Sequence, residues 1–167
     1  ATQLAAAFLD FLRDELDLPG PYADPDLAPV RAPAEIGPAM RRRCAQLLEG
    51  IVWDRSTVAR FLGCWLSEPK PHVFFVAPRP RLSPAAFRTR MAKHGVRLDT
   101  RTQLLYDPAH LFINGVALGW PAGGGATLRQ LANSRLLAAR LAGSIPPETA
   151  RILYNWYRDG YLHANTA

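Results

Sequence analysis

Apolar residues recur at helical spacing through the first 68 residues of the chain. The pattern predicts three amphipathic helices, because residues at i, i+3, i+4 and i+7 share one face of an α-helix. The apolar positions are Leu4, Phe8, Phe11 and Leu12 in a helix from Thr2 to Leu16, Met40, Cys44, Leu47, Leu48 and Ile51 in a second, and Val58, Phe61, Leu62, Trp65 and Leu66 in a third. Asp54 or Ser56 can cap the third helix, which we expect to bury one wide stripe.

Prolines mark the boundaries between these elements. Six of them lie between residues 18 and 38, so an extended connection joins the first two helices. It is either a flexible linker or a segment held against a helical surface by Tyr22, Leu27, Val30 and Ile36. Pro69 and Pro71 end the third helix, and Val73 to Val76 is predicted to be a short buried strand.

Helices and strands alternate in the second half of the chain. Asn114-Gly115 is the strongest local signal, because a type I′ hairpin turn needs positive φ at both central residues. The predicted elements are a helix over 84–94 capped by Ser83, strands over 96–98 and 103–106, a hairpin of 111–113 with 116–118, a helix from Thr127 to Ala142, a helix opened by Pro146-Pro147, and a strand over 161–163. These proportions predict an α+β fold, with an N-terminal helical region (1–68) followed by a winged-helix-like domain (69–167).

Three helices rich in large aromatic residues are too few to close a core alone. Packing against a second copy of the chain would complete it, so we expect residues 1–68 to form a dimerisation region and the protein to be a homodimer. The residues expected in the helical core or the dimer interface are Phe8, Phe11, Leu12, Met40, Leu47, Phe61 and Trp65. Cys44 and Cys64 lie on apolar helical faces and are expected to be buried thiols.

Charge is distributed unevenly along the sequence. Residues 1–68 carry a net charge of −3, and residues 69–167 carry 13 Lys or Arg and 4 acidic residues, a net charge of +9. This asymmetry favours an anionic partner such as nucleic acid for the second half, although arginine-rich composition alone produces a similar excess. On the predicted helix from Thr127, a polar stripe of Arg129, Asn133 and Arg140 is either a recognition surface for nucleic acid or an ordinary solvated face.

Signatures of catalysis are absent from the sequence. It contains no His-x-Asp or His-x-Glu pair, no His-Glu-x-x-His, no Cys-x-x-Cys and no Gly-x-Ser-x-Gly. We therefore assign no catalytic, metal-binding or cofactor-binding residue. Gly123-Gly124-Gly125 is either a mobile loop or a cradle of backbone amides that binds an anion.

Three separated segments resemble one protein family. They are Phe8 to Leu16 followed by Tyr22-Ala-Asp-Pro-Asp-Leu27, then Phe61-Leu-Gly-Cys-Trp-Leu-Ser-Glu-Pro-Lys-Pro71, and then His110-Leu-Phe-Ile-Asn-Gly115. In this order they resemble the C-terminal half of the bacterial cupin/JmjC-type ribosomal oxygenases, which are Fe(II)- and 2-oxoglutarate-dependent protein hydroxylases. The resemblance implies a helical dimerisation region and a winged helix that follow a catalytic cupin domain. It also implies a ribosomal protein substrate, with an arginine as the hydroxylated residue.

The iron ligands and the 2-oxoglutarate site of that family belong to the cupin domain and have no counterpart in this sequence. The chain opens on Ala1 within a helical pattern and without an initiating Met, so we expect a truncated or processed piece of a longer enzyme that is not catalytic by itself. We also expect a cytoplasmic protein, since no apolar run approaches the ~20 residues needed to span a bilayer. The alternative is a free-standing winged-helix regulator that binds nucleic acid.

Overall fold

The structure is a computed structural model that describes residues 1–15 and 34–165 of the chain. Two compact units are distinguished, Ala1–Phe61 (unit 1) and Leu62–Ala167 (unit 2). The predicted anchors Tyr22, Leu27 and Val30 lie outside the described residues, and Ile36 is exposed. None of the helices in the described part of the chain has the length and apolarity required to cross a membrane.

Unit 1 is helical, as the periodicity predicts. It contains α1 (Thr2–Glu15), α2 (Pro38–Glu49) and the first part of α3 (Arg55–Ser67), whose later residues belong to unit 2. Asp54 begins α3, because its carboxylate accepts a hydrogen bond of 2.8 Å from the Thr57 backbone N–H. This bond satisfies one of the amide donors left unpaired at a helix start.

The core of unit 1 is a small aromatic cluster between α1 and α3. The ring centroid of Phe8 lies 5.1 Å from that of Phe61 and 5.7 Å from that of Trp53, and Phe11 lies 5.6 Å from Phe61. Leu12 and Phe61 are buried, whereas α2 buries none of its residues. Cys44 lies on α2 and is exposed, so the prediction of a buried thiol is wrong for that residue.

Unit 2 contains two three-stranded antiparallel sheets and four helices within its described residues, besides the end of α3. The helices are α4 (Pro84–His94), α5 (Gly125–Ser134), α6 (Ala139–Ala142) and α7 (Pro147–Arg158), and the strands are β1 (Val96–Leu98), β2 (Leu104–Tyr106), β3 (His110–Ile113), β4 (Val116–Gly119), β5 (Leu136–Leu137) and β6 (Leu162–Ala164). One sheet has the order β5-β1-β6 and the other the order β2-β3-β4. The α+β prediction is confirmed.

Local signals place several of these elements correctly. The Ser83 hydroxyl accepts a hydrogen bond from the Ala86 amide and caps α4, and Gly95 ends that helix at a φ of 77°. Asn114 and Gly115 have φ values of 49° and 89°, which confirms the tight turn between β3 and β4. Each signal acts within a few residues, so it survives in any tertiary context that keeps the element.

The core of unit 2 gathers side chains from α4, α5, α7 and both sheets. Its fully buried large residues include Phe87, Met91, Leu111, Leu128, Leu131, Leu137, Leu153 and Leu162. Leu153, Trp156 and Tyr157 of α7 are buried as predicted. The Tyr157 hydroxyl accepts a hydrogen bond of 3.1 Å from the Leu82 amide, and this bond fixes the chain where it enters α4.

The predicted buried strand at Val73 to Val76 is not formed. Phe74 and Val76 are 74% and 68% exposed, and the segment belongs to neither sheet. It is held at individual points: the Phe75 ring packs on Tyr161 at 4.7 Å, and Arg101 Nη1 donates to the Phe74 carbonyl at 2.7 Å. An apolar run indicates that a segment tends to be buried, but it does not indicate whether a neighbouring strand is available to pair with it.

The predicted helix from Thr127 to Ala142 is not continuous, because strand β5 separates α5 from the short helix α6. Helix α5 begins after Gly124, without a Thr127 cap, and ends at Arg135, which has a left-handed φ of 61°. Leu136 and Leu137 then pair as β5 with Arg97 and Val96 of β1, and Leu137 becomes fully buried. Pairing with a strand 40 residues earlier in the chain overrides the local helical preference.

Candidate functional site

The seven predicted core or interface residues divide by their burial. Leu12 and Phe61 are buried and Phe8 and Phe11 are half-buried, and the three phenylalanines belong to the aromatic cluster of unit 1. The exposed members are Met40 (40%), Leu47 (43%) and Trp65 (40%). In the single chain the buried and half-buried residues therefore contribute to the interior, and Met40, Leu47 and Trp65 contribute apolar surface.

The described residues of unit 1 expose nine large apolar side chains. They are Leu4, Leu9, Ile36, Met40, Leu47, Leu48, Val52, Trp53 and Val58. Val52 and Trp53 were not among the predicted interface residues, although they follow α2 in the apolar run Ile51-Val52-Trp53, which was the available signal. A shallow cavity of about 360 Å³ is lined by Trp53, Asp54, Arg55 and Val58. Such a surface is suited to binding another apolar surface.

The predicted polar stripe does not exist as a single surface of one helix. Arg140 lies on α6, separated from α5 by strand β5, because the helix breaks at Arg135. Arg129 and Asn133 remain together on α5, one turn apart. Both are exposed, and both contact aromatic residues of unit 2 instead of projecting freely.

Arg129, Asn133, Tyr106 and Trp120 form a compact group, the arginine-aromatic cluster. The Arg129 guanidinium lies 4.6 Å from the ring centroid of Trp120 and 6.0 Å from that of Tyr106. The two rings meet edge to face, with centroids 5.9 Å apart. Neither ring was predicted from the sequence. Strands β2 and β4 run in the same direction on either side of β3, so Tyr106 at the end of β2 and Trp120 directly after β4 lie at the same end of the sheet.

Hydrogen bonds fix the rings of this cluster. The Asn133 amide Nδ2 donates to the Tyr106 hydroxyl at 3.0 Å, and the Trp120 indole Nε1 donates to the Asp107 carbonyl at 3.3 Å. The Asp107 carboxylate accepts from the backbone amides of Ala109 and His110, so it faces its own loop. Within residues 1–15 and 34–165, the Arg129 guanidinium forms neither a hydrogen bond nor a salt bridge, and its donors are open to an external oxyanion.

A second polar group surrounds the buried carboxylate of Asp99. Arg101 donates to both carboxylate oxygens, at 2.7 and 2.9 Å, and His163 Nε2 lies 2.9 Å from Oδ2. The hydrogen bonds from Arg101 lower the pKa of Asp99 far below its ordinary value, with a smaller contribution from His163, and they outweigh the opposing effect of burial. Arg135 Nη2 also donates to the Asp99 carbonyl at 2.7 Å. The Asp99 carboxylate is thus engaged by two neighbouring side chains of the same chain, which is typical of a structural network.

The glycine loop before α5 packs tightly against α7. A β-carbon at Gly124 would overlap the Thr149 hydroxyl, so the absence of a side chain serves close packing at this position. The Ala122 amide donates to the Glu148 carboxylate at 3.3 Å. A carboxylate of the chain itself thus lies beside the loop, which opposes the binding of an external anion there.

The described residues do not fit an iron centre. In this part of the chain, no three His, Cys, Asp or Glu side chains come together in an arrangement that could hold a metal ion. His163 and Asp99 are bonded to each other, and His110 lies 3.6 Å from Asp107 without a third ligand.

Solved structures with the same fold include three of YcfD, a ribosomal oxygenase from Escherichia coli, and each of the three has a TM-score of 0.68. One is 20% identical and covers 99% of this chain and 46% of that chain. A complex with cobalt and succinic acid is 19% identical and covers 98% of this chain and 46% of that chain. A complex with cobalt and 2-oxoglutarate is also 19% identical and covers 98% of this chain and 45% of that chain. The chain spans less than half the length of these structures. At this identity the likeness is one of fold.

No curated protein matches the chain by sequence. The model of the ROXA-like winged helix family matches residues 50–163, which is more than half of the chain. The match covers α3 together with all the helices and nearly all the strand residues of unit 2. On this evidence the chain belongs to the ROXA-like winged helix family.

Proposed function

We propose that the chain is the non-catalytic C-terminal portion of an Fe(II)- and 2-oxoglutarate-dependent oxygenase resembling the ribosomal protein hydroxylases. In this proposal residues 1–68 pair two copies of the enzyme, and residues 69–167 form an accessory winged-helix domain. The fold shared with YcfD and the family match support the lineage. Iron, 2-oxoglutarate and a ribosomal protein substrate would belong to the whole enzyme, with a cytoplasmic location.

The observation that carries the pairing role is the apolar surface of α2 and the residues that follow it. Helix α2 buries none of its residues, and Met40, Leu47 and Leu48 are 40%, 43% and 66% exposed. At 100° per residue these three side chains lie on one face of α2. A monomer gains nothing from a second apolar helical face in water, whereas a symmetric dimer buries the same face twice.

Light scattering after size-exclusion chromatography tests this proposal. Leu47→Glu places a charge on the apolar face of α2, and Gln46→Glu adds the same charge at the neighbouring exposed position, about 100° around the helix. We expect the wild type and Gln46→Glu to be dimers at micromolar concentration and Leu47→Glu to be a monomer with unchanged helix content. A monomeric wild type, or equal association of both variants, would contradict pairing through α2.

A second candidate function is nucleic-acid binding by the basic half. All four acidic residues of 69–167 are engaged by groups of the chain itself, and in the described part of this half only Arg101 and Arg158 have carboxylate salt bridges. Carboxylates of the described residues therefore leave most of the excess positive charge of this half without a salt bridge. Titration of a DNA duplex at two salt concentrations tests this candidate, because phosphate contacts make the affinity fall steeply with salt. Undetectable binding at low salt would remove it.

A further inference from the structure

We propose that the arginine-aromatic cluster is a docking point for an acidic segment of a protein partner, with Arg129 binding one carboxylate and the Tyr106 and Trp120 rings contacting an adjoining apolar residue. This inference concerns unit 2 and does not depend on pairing through unit 1. It also requires no catalytic activity of the chain.

The first argument is preorganisation. Stacking on Trp120 at 4.6 Å restricts the Arg129 side chain, and the polar atoms of both rings are already bonded to Asn133 and to the Asp107 carbonyl. A long side chain normally loses rotamer freedom when it binds, and here part of that cost is met before the partner arrives. A planar guanidinium with its face covered still presents its N–H edge to a carboxylate in bidentate geometry.

The second argument is charge. Each acidic residue in 69–167 is engaged by groups other than Arg129, and the nearest carboxylate in sequence to the cluster, Asp107, accepts from its own backbone. Residues 69–167 therefore leave no carboxylate to pair with Arg129. An aspartate or glutamate on a partner surface would supply one.

The third argument separates a protein partner from nucleic acid. The cluster contains a single cation, whereas binding of a phosphate backbone relies on several. One face of the Trp120 ring is covered by the guanidinium, which leaves less aromatic surface for base stacking. Arg, Trp and Tyr in one patch, with Tyr106 39% exposed, are instead the residue types enriched at the centres of protein interfaces.

Fluorescence anisotropy with the full chain tests the proposal. The probe is a fluorescein-labelled peptide of alternating Glu and Leu residues, and the control peptide has Gln in place of Glu. We expect the acidic peptide to bind and the control peptide to bind at least about tenfold more weakly, because one charge-assisted pair is lost. Arg129→Gln should weaken binding by about tenfold or more, and Arg129→Lys by nearly as much, because an ammonium group lacks the planar bidentate edge.

The matched control is Arg90→Gln, which removes the same charge from an exposed position of α4. It should change the affinity by no more than about twofold. In NMR spectra the indole N–H signal of Trp120, one of four tryptophans, should shift on titration with the acidic peptide, and light scattering of Arg129→Gln should match the wild type. Equal losses in Arg129→Gln and Arg90→Gln, equal binding of both peptides, no binding of the acidic peptide, or an Arg129 dependence seen only with a labelled oligonucleotide would each overturn the proposal.

Discussion

The carboxylate of Asp99 joins segments that are far apart in the chain, since it bonds Arg101 in the turn after β1 and His163 in β6. Only 7% of this side chain is exposed. We expect Asp99→Asn to lower the free energy of unfolding by about 2–3 kcal/mol, because hydrogen bonds from Arg101 and His163 to a buried charged group are lost. Urea unfolding at pH 7 measures the change, and a loss below about 0.5 kcal/mol would contradict this role.

The same residue predicts a pH dependence of stability. The pKa of Asp99 is far lower in the folded state than the value of about 3.9 of an unfolded aspartate, mainly because of the hydrogen bonds from Arg101. A lowered folded pKa means that the stabilisation is complete above about pH 4 and is lost as the pH falls further. Between pH 5 and pH 2, stability should therefore fall more steeply in the wild type than in Asp99→Asn. Parallel profiles of stability against pH in the two proteins would show that other carboxylates dominate the loss of stability at low pH.

Gly63 lies on the part of α3 that belongs to unit 2, and the packing there leaves no room for a side chain. A β-carbon there would overlap the buried ring of Phe112 on β3. We expect Gly63→Ala to destabilise the protein by about 1–3 kcal/mol, because the cost of displacing a packed ring exceeds the gain of roughly 1 kcal/mol in helix propensity. Gly119→Ala is the control, since nothing lies within 4 Å of its added carbon, and it should be close to neutral in the same denaturation experiment.

At the scale of elements, the break between α5 and β5 depends on the backbone of Arg135. Its φ is 61°, and its guanidinium donates to the carbonyls of Asp99 and Thr102 at 2.7 and 3.0 Å. Arg135→Gly loses these bonds but relieves the left-handed strain, whereas Arg135→Ala loses the bonds and keeps the strain. Arg135→Ala should be less stable than Arg135→Gly by about 1 kcal/mol in thermal or urea unfolding. The opposite order would mean that the break is not formed as described.

At the scale of the whole molecule, pairing through α2 links stability to protein concentration. If two chains associate only when folded, mass action raises the apparent unfolding midpoint as the concentration increases. We expect this rise for the wild type and for Gln46→Glu, and a midpoint independent of concentration for Leu47→Glu. Differential scanning calorimetry over a hundredfold range of concentration measures it. A concentration-independent wild type would argue that the exposed apolar face of α2 serves another partner.

The sequence by itself determined the elements whose signals are local. The helical spacing of α1 and α3, the Ser83 cap of α4, the buried residues of α7 and the Asn114-Gly115 turn all depend on neighbours within a few residues, and all are present in the structure. The division into a helical first part and a mixed second part follows from the same patterns.

Only the tertiary structure decided where distant segments meet. Strand β1 pairs with β5 and β6, the segment from Val73 to Val76 pairs with no strand, and the helix breaks at Arg135 so that Leu137 is buried in β5. Tyr106, Trp120 and Arg129 likewise lie on separate segments of the chain, and only the tertiary structure brings them together. Local propensities differ by about 1 kcal/mol or less per residue, and the burial of a large apolar side chain contributes more than that, so contacts distant in sequence choose between locally similar alternatives.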